Sequence, residues 1–259
     1  MRTVIITGAA GGIGSETAGL FAEQGYRLVL CDQREAELQQ LKTALQERFR
    51  ADCLLCPGNL AEEAYWQQVV EQAMQRYGRI DVLVNNAAWR TIETLRTMEL
   101  ATWEQTLRIC LTAPAFLSRL TAAKMQPGSV IVNVSSMMAD RPAGTSPAYI
   151  AAKGAIDALT RELAVTYGRQ GIRVVGVSPG FIDTDLSRDY TNASQLISEI
   201  VDRIPLARGG TPREVAAAIC WLSAEQAAYV TGTTLVVDGG FKPNFSPYSI
   251  KRTQFPEEF

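Results

Sequence analysis

The 259-residue chain contains no histidine, so the imidazole that most often moves protons in enzymes is missing. It also lacks a basic field, with 25 Lys and Arg against 27 Asp and Glu, a net charge of -2, and basic residues scattered along the chain. Nothing in that distribution draws in nucleic acid. No uninterrupted apolar run approaches the roughly 18 residues that span a bilayer, and Met1 leads straight into TVIITG without the zones of a secretory signal. A cytoplasmic chain with neither membrane nor nucleic-acid partner is expected. The cysteines number five, an odd count that argues for reduced thiols over a disulfide framework. CLLC at 53 to 56 has the spacing of a metal or redox element. On a strand, however, positions i and i+3 point to opposite faces. Without histidine or a second CxxC the pair reads as buried thiols, and no metal site is expected.

What is present is a folded, 47% hydrophobic chain long enough for a large core. Short β-branched runs alternate with longer amphipathic stretches. TVIIT precedes 12 to 24, RLVLC precedes 34 to 49, DCLLC precedes 61 to 77, and IDVLV at 80 to 84 precedes further helical sequence. SVIVNV at 129 to 134, a helix over 147 to 169, IRVVGV at 172 to 177, a helix over 212 to 222 and a last strand around TLVVD continue the series. The alternation predicts an α/β, doubly wound, mostly parallel seven-stranded sheet with helices on both faces. No repeat or linker divides it. A single domain over 1–242 is expected, followed by an aromatic and proline-containing tail at 243–259.

After the first strand comes TGAAGGIG, with Gly8, Gly11, Gly12 and Gly14 opening a helix. Glycines there let the backbone turn sharply and approach a pyrophosphate, whose charge faces the free amides of the helix start. The spacing fits both G-x3-G-x-G and G-x2-G-x2-G and does not choose between them. Asp32 ends the second strand roughly 20 residues beyond Gly14, where a carboxylate can bind the adenosine ribose. Asp32 and Glu35 also form a D-x-x-E helix-cap pattern. A carboxylate at this point repels a 2′-phosphate and favours NAD, while Arg34 beside it leaves NADP open.

Ser146 and Pro147 read as N-cap and first helical residue, which places Tyr149 and Lys153 one turn apart on one helix face. A phenol near pKa 10 needs about 3 units of depression, about 4 kcal/mol, to act as a base near neutrality. An ammonium at about 4 Å supplies energy of that order. Ser136, at the carboxyl end of VIVNVSS, stands at the sheet edge where ligands collect.

Together these residues resemble the short-chain dehydrogenase/reductase family, in its single-domain, Rossmann-type branch, over nearly the whole chain to residue 242. TGAAGGIG resembles its cofactor loop, NNAA at 85 to 88 the element after its fourth strand, and Ser136, Tyr149 and Lys153 its catalytic set. SPGFIDT at 178 to 184 is similar to the segment closing over the nicotinamide, and ARGGTPREVAAAICWLS with YVTGTTLVVDGG to the carboxyl-terminal part. The resemblance implies hydride transfer between a nicotinamide and an alcohol or carbonyl substrate, with Tyr149 as general acid/base. It also implies cofactor contacts by Gly8, Gly12, Ile13, Gly14, Asp32, Asn59, Leu60, Asn85, Ala87, Tyr149, Lys153, Pro179, Gly180, Ile182 and Thr184. Homodimers or homotetramers are the family's usual assemblies, built on the Tyr-bearing helix and the one before it.

Three departures stand out. Cys110 occupies the position of an asparagine that holds a proton-relaying water, Asn59 replaces an aspartate that meets the adenine, and Ala88 replaces a glycine. The Asn59 change is expected to be mild, because the amide oxygen still accepts. The Cys110 change raises an alternative, a catalytically weak NAD-binding regulatory protein. Trp89, Arg90, Met137, Met138, Arg141, Phe181 and Arg188 are the expected pocket mouth, apolar with guanidinium groups near its rim. That suggests a secondary alcohol or ketone carrying a polar or anionic group, a sugar or sugar acid for example.

Overall fold

The computed structural model of the chain describes residues 1–184, 194–244, 249–250, 254–255 and 257. Seven strands, β1 (Thr3–Thr7), β2 (Arg27–Asp32), β3 (Cys53–Pro57), β4 (Val82–Asn85), β5 (Val130–Val134), β6 (Arg173–Pro179) and β7 (Thr234–Val237), form one sheet in the order β3-β2-β1-β4-β5-β6-β7. Every pairing is parallel. The order reverses between β1 and β4, the switch point beside which doubly wound folds bind ligands. The α-helices among the described residues are α1 (Gly12–Glu23), α2 (Glu35–Phe49), α3 (Glu63–Tyr77), α4 (Leu100–Leu107), α5 (Ala113–Ala122), α6 (Pro147–Gly168), α7 (Ser194–Val201) and α8 (Pro212–Ser223).

Alternation along the strands builds two core layers, since successive side chains face opposite sides of the sheet. Val4, Ile6, Leu28, Leu30, Val132 and Val175 pack with Phe21 of α1 and Ile219 of α8. Ile5, Val29, Leu83 and Ile131 pack on the other face with Trp66 and Val69 of α3 and Leu117 of α5. CLLC obeys the same rule, with Cys53 in the first layer and Cys56 in the second. All five thiols are free and buried. Burial pushes Cys53 up to about 11 and Cys220 up to about 12, which keeps both protonated near neutrality.

A buried polar ladder crosses the second layer. Asn85 donates to Asn133 at 2.9 Å and to Ser118 at 3.1 Å, and Asn133 donates to Thr160 at 3.0 Å. It ties β4, β5, α5 and α6 together directly beneath the carboxyl ends of the central strands.

One local expectation is corrected. Asp32 does not cap α2, whose N-cap is Arg34 with no side-chain cap bond. Its carboxylate instead accepts the Arg34 amide and guanidinium and the Ala10 amide. Ser146 is the N-cap of α6 and Pro147 its first residue, as expected, while the Ser146 hydroxyl donates to the Thr91 carbonyl at 2.9 Å and so anchors a loop. The helical sequence expected after β4 begins only at Leu100, beyond a loop over 86–99.

Candidate active site

The phosphate loop is held from below by β4. Thr7 Oγ1 accepts the amides of Asn86 and Ala87 at 3.0 and 3.1 Å. Asn86 Nδ2 returns hydrogen bonds to the carbonyls of Thr7 and Gly8 at 3.0 and 3.1 Å. Sequence reasoning singled out neither Thr7 nor Asn86, although each adjoins an expected site residue. Gly8 has φ +64°, and a Cβ on it would lie 2.8 Å from Ala87 Cα, so both conformation and space demand glycine. A Cβ on Gly14 would stand 2.1 Å from the Gly8 carbonyl oxygen.

At the start of α1 the N-cap Gly11 makes no side-chain cap bond. Gly12, Ile13 and Gly14 therefore carry first-turn amides with no partner inside the helix, which is the setting a pyrophosphate requires. Beside the turn stands Asp32, 8% exposed, whose carboxylate accepts Ala10 N–H at 3.1 Å. The Asp32 carbonyl accepts Gly58 N–H at 3.0 Å and brings the GNL turn alongside. Asn59 is partly spent there, since its amide oxygen accepts Ala61 N–H at 2.9 Å. An amide oxygen has two lone pairs, so one acceptor site remains after this bond. Leu60 packs beside it, its carbonyl accepting Trp66 Nε1 at 2.8 Å.

The segment after β6 returns to the loop. A Cβ on Gly12 would stand 3.1 Å from Thr184 Cγ2, and Ile182 is buried in a bridge to Gly210. Gly180 lies against Asp238, where a Cβ would come within 2.6 Å of its Cα. Of this segment, Thr184 faces the start of α1, while Gly180 and Ile182 pack on Asp238 and Gly210. Asn85 sends its amide into the buried ladder, so its side chain supports the site from beneath.

Tyr149 and Lys153 occupy the first two turns of α6, 7% and 2% exposed. Lys153 Nζ donates to the Val134 carbonyl at 2.6 Å and lies 5.5 Å from the Tyr149 ring centroid. Ser136, 8% exposed, caps a short turn after β5. Its oxygen accepts Met138 N–H at 3.2 Å, which leaves its hydrogen to donate. Met138 in turn packs against the cluster of Cys110, Tyr149 and Ala152, so strand end and helix meet.

Cys110 lies where α4 and α5 are joined by a π-helical turn over Arg108–Thr112. Pro114 explains the turn, because it has no N–H for the carbonyl four residues back, which is Cys110's own. Such bulges recur at functional sites. The thiol accepts Trp89 N–H and donates to the Trp89 carbonyl, both at 3.4 Å.

The two described arginines of the expected mouth part company. Arg90 Cζ is 5.3 Å from the Tyr149 ring centroid. Arg141 instead donates to the carbonyls of Phe241, Lys242 and Asn244 at 2.9, 2.7 and 2.5 Å. It is a clamp on the carboxyl-terminal segment, which corrects its place among substrate residues. Phe181 packs on Gly209. Arg188 and most of the tail lie outside the described residues.

An open parallel sheet with a glycine-built phosphate turn at its switch point and a polar triad across the crevice defines a dinucleotide-dependent oxidoreductase. A family model described as Enoyl-(Acyl carrier protein) reductase matches residues 8–242. The chain is 34% identical to cis-4-hydroxycyclohexanecarboxylate dehydrogenase of Sinomonas cyclohexanicum, over 93% of this chain and 96% of that protein. It superimposes on a short-chain dehydrogenase/reductase of Brucella melitensis, titled a glucose/ribitol dehydrogenase, with TM-score 0.87 and 33% identity over 93% and 96% of the two chains. A second similar structure, blue fluorescent protein from a metagenomic library in complex with NADPH, gives TM-score 0.86 and 31% identity over 93% and 97%. The chain belongs to the short-chain dehydrogenase/reductase family, whose members act with a nicotinamide cofactor.

Proposed function

We propose that the protein is an NAD-dependent dehydrogenase, or in reverse a reductase, of a secondary alcohol and its ketone, with Tyr149 as general acid/base. The observation that carries this is the burial of Tyr149 and Lys153 on adjacent turns of α6 against the Ser136 strand end. In the oxidative direction Ser136 Oγ donates a hydrogen bond to the substrate oxygen and fixes the carbinol carbon. Tyr149 Oη takes the hydroxyl proton. The Lys153 ammonium, oriented by the Val134 carbonyl, stabilises the negative charge that develops on the phenolic oxygen. A bound nicotinamide supplies the hydride acceptor. The free amides of Gly12, Ile13 and Gly14 hold the pyrophosphate, and Asp32 the ribose.

The Asp32 carboxylate supports NAD over NADP by repelling a 2′-phosphate, and its ion pair with Arg34, Nε to Oδ1 3.2 Å, occupies the nearby guanidinium. The relatives support a sugar, sugar acid or cyclic hydroxy acid as substrate, since one is named for a hydroxycyclohexanecarboxylate and another for glucose and ribitol. Assembly as a homodimer or homotetramer through α5 and α6 fits the exposed Phe116 and Val165 on those helices. A monomer by light scattering would refute that part.

Reduction of NAD and NADP against sugars, sugar acids, hydroxy acids and neutral cyclic alcohols tests the main reading. Turnover of at least one, abolished in Tyr149→Phe while NAD still binds, is expected. A second reading, a weakly catalytic NAD-binding regulator, rests on Cys110 standing at the relay position with its thiol engaged by Trp89. Silence across the panel despite tight NAD binding, with activity emerging in Cys110→Asn, would establish that reading instead.

A further inference from the structure

Arg90 is carried into the site by a short chain of contacts. The Cys110 thiol meets both polar backbone groups of Trp89 at 3.4 Å, and Trp89 is the residue before Arg90. The opposite rim is fastened as well, by Ser146 on the Thr91 carbonyl at 2.9 Å and by Glu93 N–H on the Thr145 carbonyl at 2.9 Å. Between these anchors the Arg90 guanidinium lies 5.3 Å from the Tyr149 ring centroid and donates to Met138 Sδ at 3.1 Å. Tyr149 is thus flanked by two cations, Lys153 and Arg90.

A thioether is a weak acceptor, and a guanidinium is a planar fork that matches a carboxylate. Exchanging the Met138 sulfur for a carboxylate in this half-enclosed site converts a weak contact into a charge-assisted pair. With Arg141 committed to the carboxyl-terminal carbonyls, Arg90 is the described arginine of the mouth that lies on the reacting tyrosine.

We propose that Arg90 binds a carboxylate on the substrate, which makes the substrate class hydroxy acids and the matching keto acids, and that Cys110 positions Arg90 through the Trp89 backbone. This rests on the dehydrogenase reading above. It also gives Cys110 a part to play at the position where the family holds a relay asparagine.

The test uses the full-length protein with NAD and matched substrate pairs, each a hydroxy acid and its carboxamide, beginning with cis-4-hydroxycyclohexanecarboxylate and its amide. The wild type is expected to favour the acid in kcat/KM. Arg90→Met, which keeps the packing volume, is expected to lose about 10- to 100-fold more on the acid than on the amide, mainly through KM. Arg90→Lys should fall between, because it keeps the charge and loses the fork. For Cys110, Ala should raise KM for the acid more than for the amide, and Ser, which still donates and accepts, should restore it. Equal losses on acid and amide, or a wild type indifferent to the carboxylate while turning over neutral alcohols, overturn this inference alone. No turnover of any pair alongside turnover of sugars or neutral cyclic alcohols overturns this inference alone, whereas silence across the whole panel overturns the dehydrogenase reading and this inference with it.

Discussion

Gly14 and Gly19 lie in the same helix, α1, and alanine should act on them in opposite directions. At Gly19 an added Cβ meets nothing within 4 Å, so Gly19→Ala should gain the helix-propensity difference, about 0.5–1 kcal/mol. At Gly14 the same methyl would stand 2.1 Å from the Gly8 oxygen and must be brought out to about 3.0 Å. The oxygen cannot retreat freely, because it accepts Gly11 N–H and Asn86 Nδ2, each at 3.1 Å. Overpacking costs about 1–3 kcal/mol, and straining those two bonds adds up to about 1 kcal/mol each. After subtracting the propensity gain, Gly14→Ala should destabilise by up to about 4.5 kcal/mol, opposite in sign to Gly19→Ala. Urea unfolding reads both values, provided the slope m is unchanged. Isothermal titration with NAD reads the functional side, where Gly14→Ala should weaken binding at least about tenfold and Gly19→Ala should leave it unaltered. If Gly14→Ala matches Gly19→Ala in both stability and affinity, the close approach of α1 to the Gly8 carbonyl does not shape the nucleotide site.

Arg141→Ala should release the carboxyl-terminal segment. Limited proteolysis beyond Phe241 is expected to accelerate, with no change in discrimination between acid and amide; a fall in acid preference would return Arg141 to the pocket. Asp32→Ala removes the charge facing a 2′-phosphate and its ion pair to Arg34, so the NADP-to-NAD ratio of kcat/KM should rise at least about tenfold; an unchanged ratio would show that other groups select the cofactor. Thr211→Ala breaks the capping box with Glu214 that starts α8 and should cost about 1 kcal/mol by urea unfolding. The Arg208 guanidinium beside Glu214, with the Thr211 backbone, holds its carboxyl down to about 2 from the ordinary 4.5. Because the folded-state value is the lower one, the stabilisation is complete above about pH 4.5 and disappears as pH falls through about 2. Melting curves of wild type and Glu214→Gln should therefore diverge above that window and converge below it, by a small, salt-sensitive margin because the pair is exposed.

Much of the fold was legible because its signals are local. β-branched runs against amphipathic stretches located all seven strands, with boundaries displaced by a residue or two, since strand ends depend on pairing that the run itself does not encode. The opposite faces of Cys53 and Cys56 followed from the two-residue period alone. Local rules failed where a side chain had a stronger partner elsewhere. Asp32 left the cap of α2 for the phosphate loop, and Ser146 kept the N-cap position of α6 but turned its hydroxyl to Thr91, because distant backbone groups were brought within reach of both.

From its residues alone the chain determined a parallel α/β sheet, a glycine-built phosphate turn, and a tyrosine and lysine on one helix face. These follow from hydrophobic period, glycine's freedom at positive φ and the rise of a helical turn, all of which act over a few residues. Only the tertiary structure decided that Thr7 and Asn86 lock the turn, that Arg141 clamps the carboxyl-terminal segment, and that the Cys110 thiol holds the loop bearing Arg90 against Tyr149. Those pairings join residues 21 to 103 positions apart, and a contact of that span exists only once the sheet has brought its ends together.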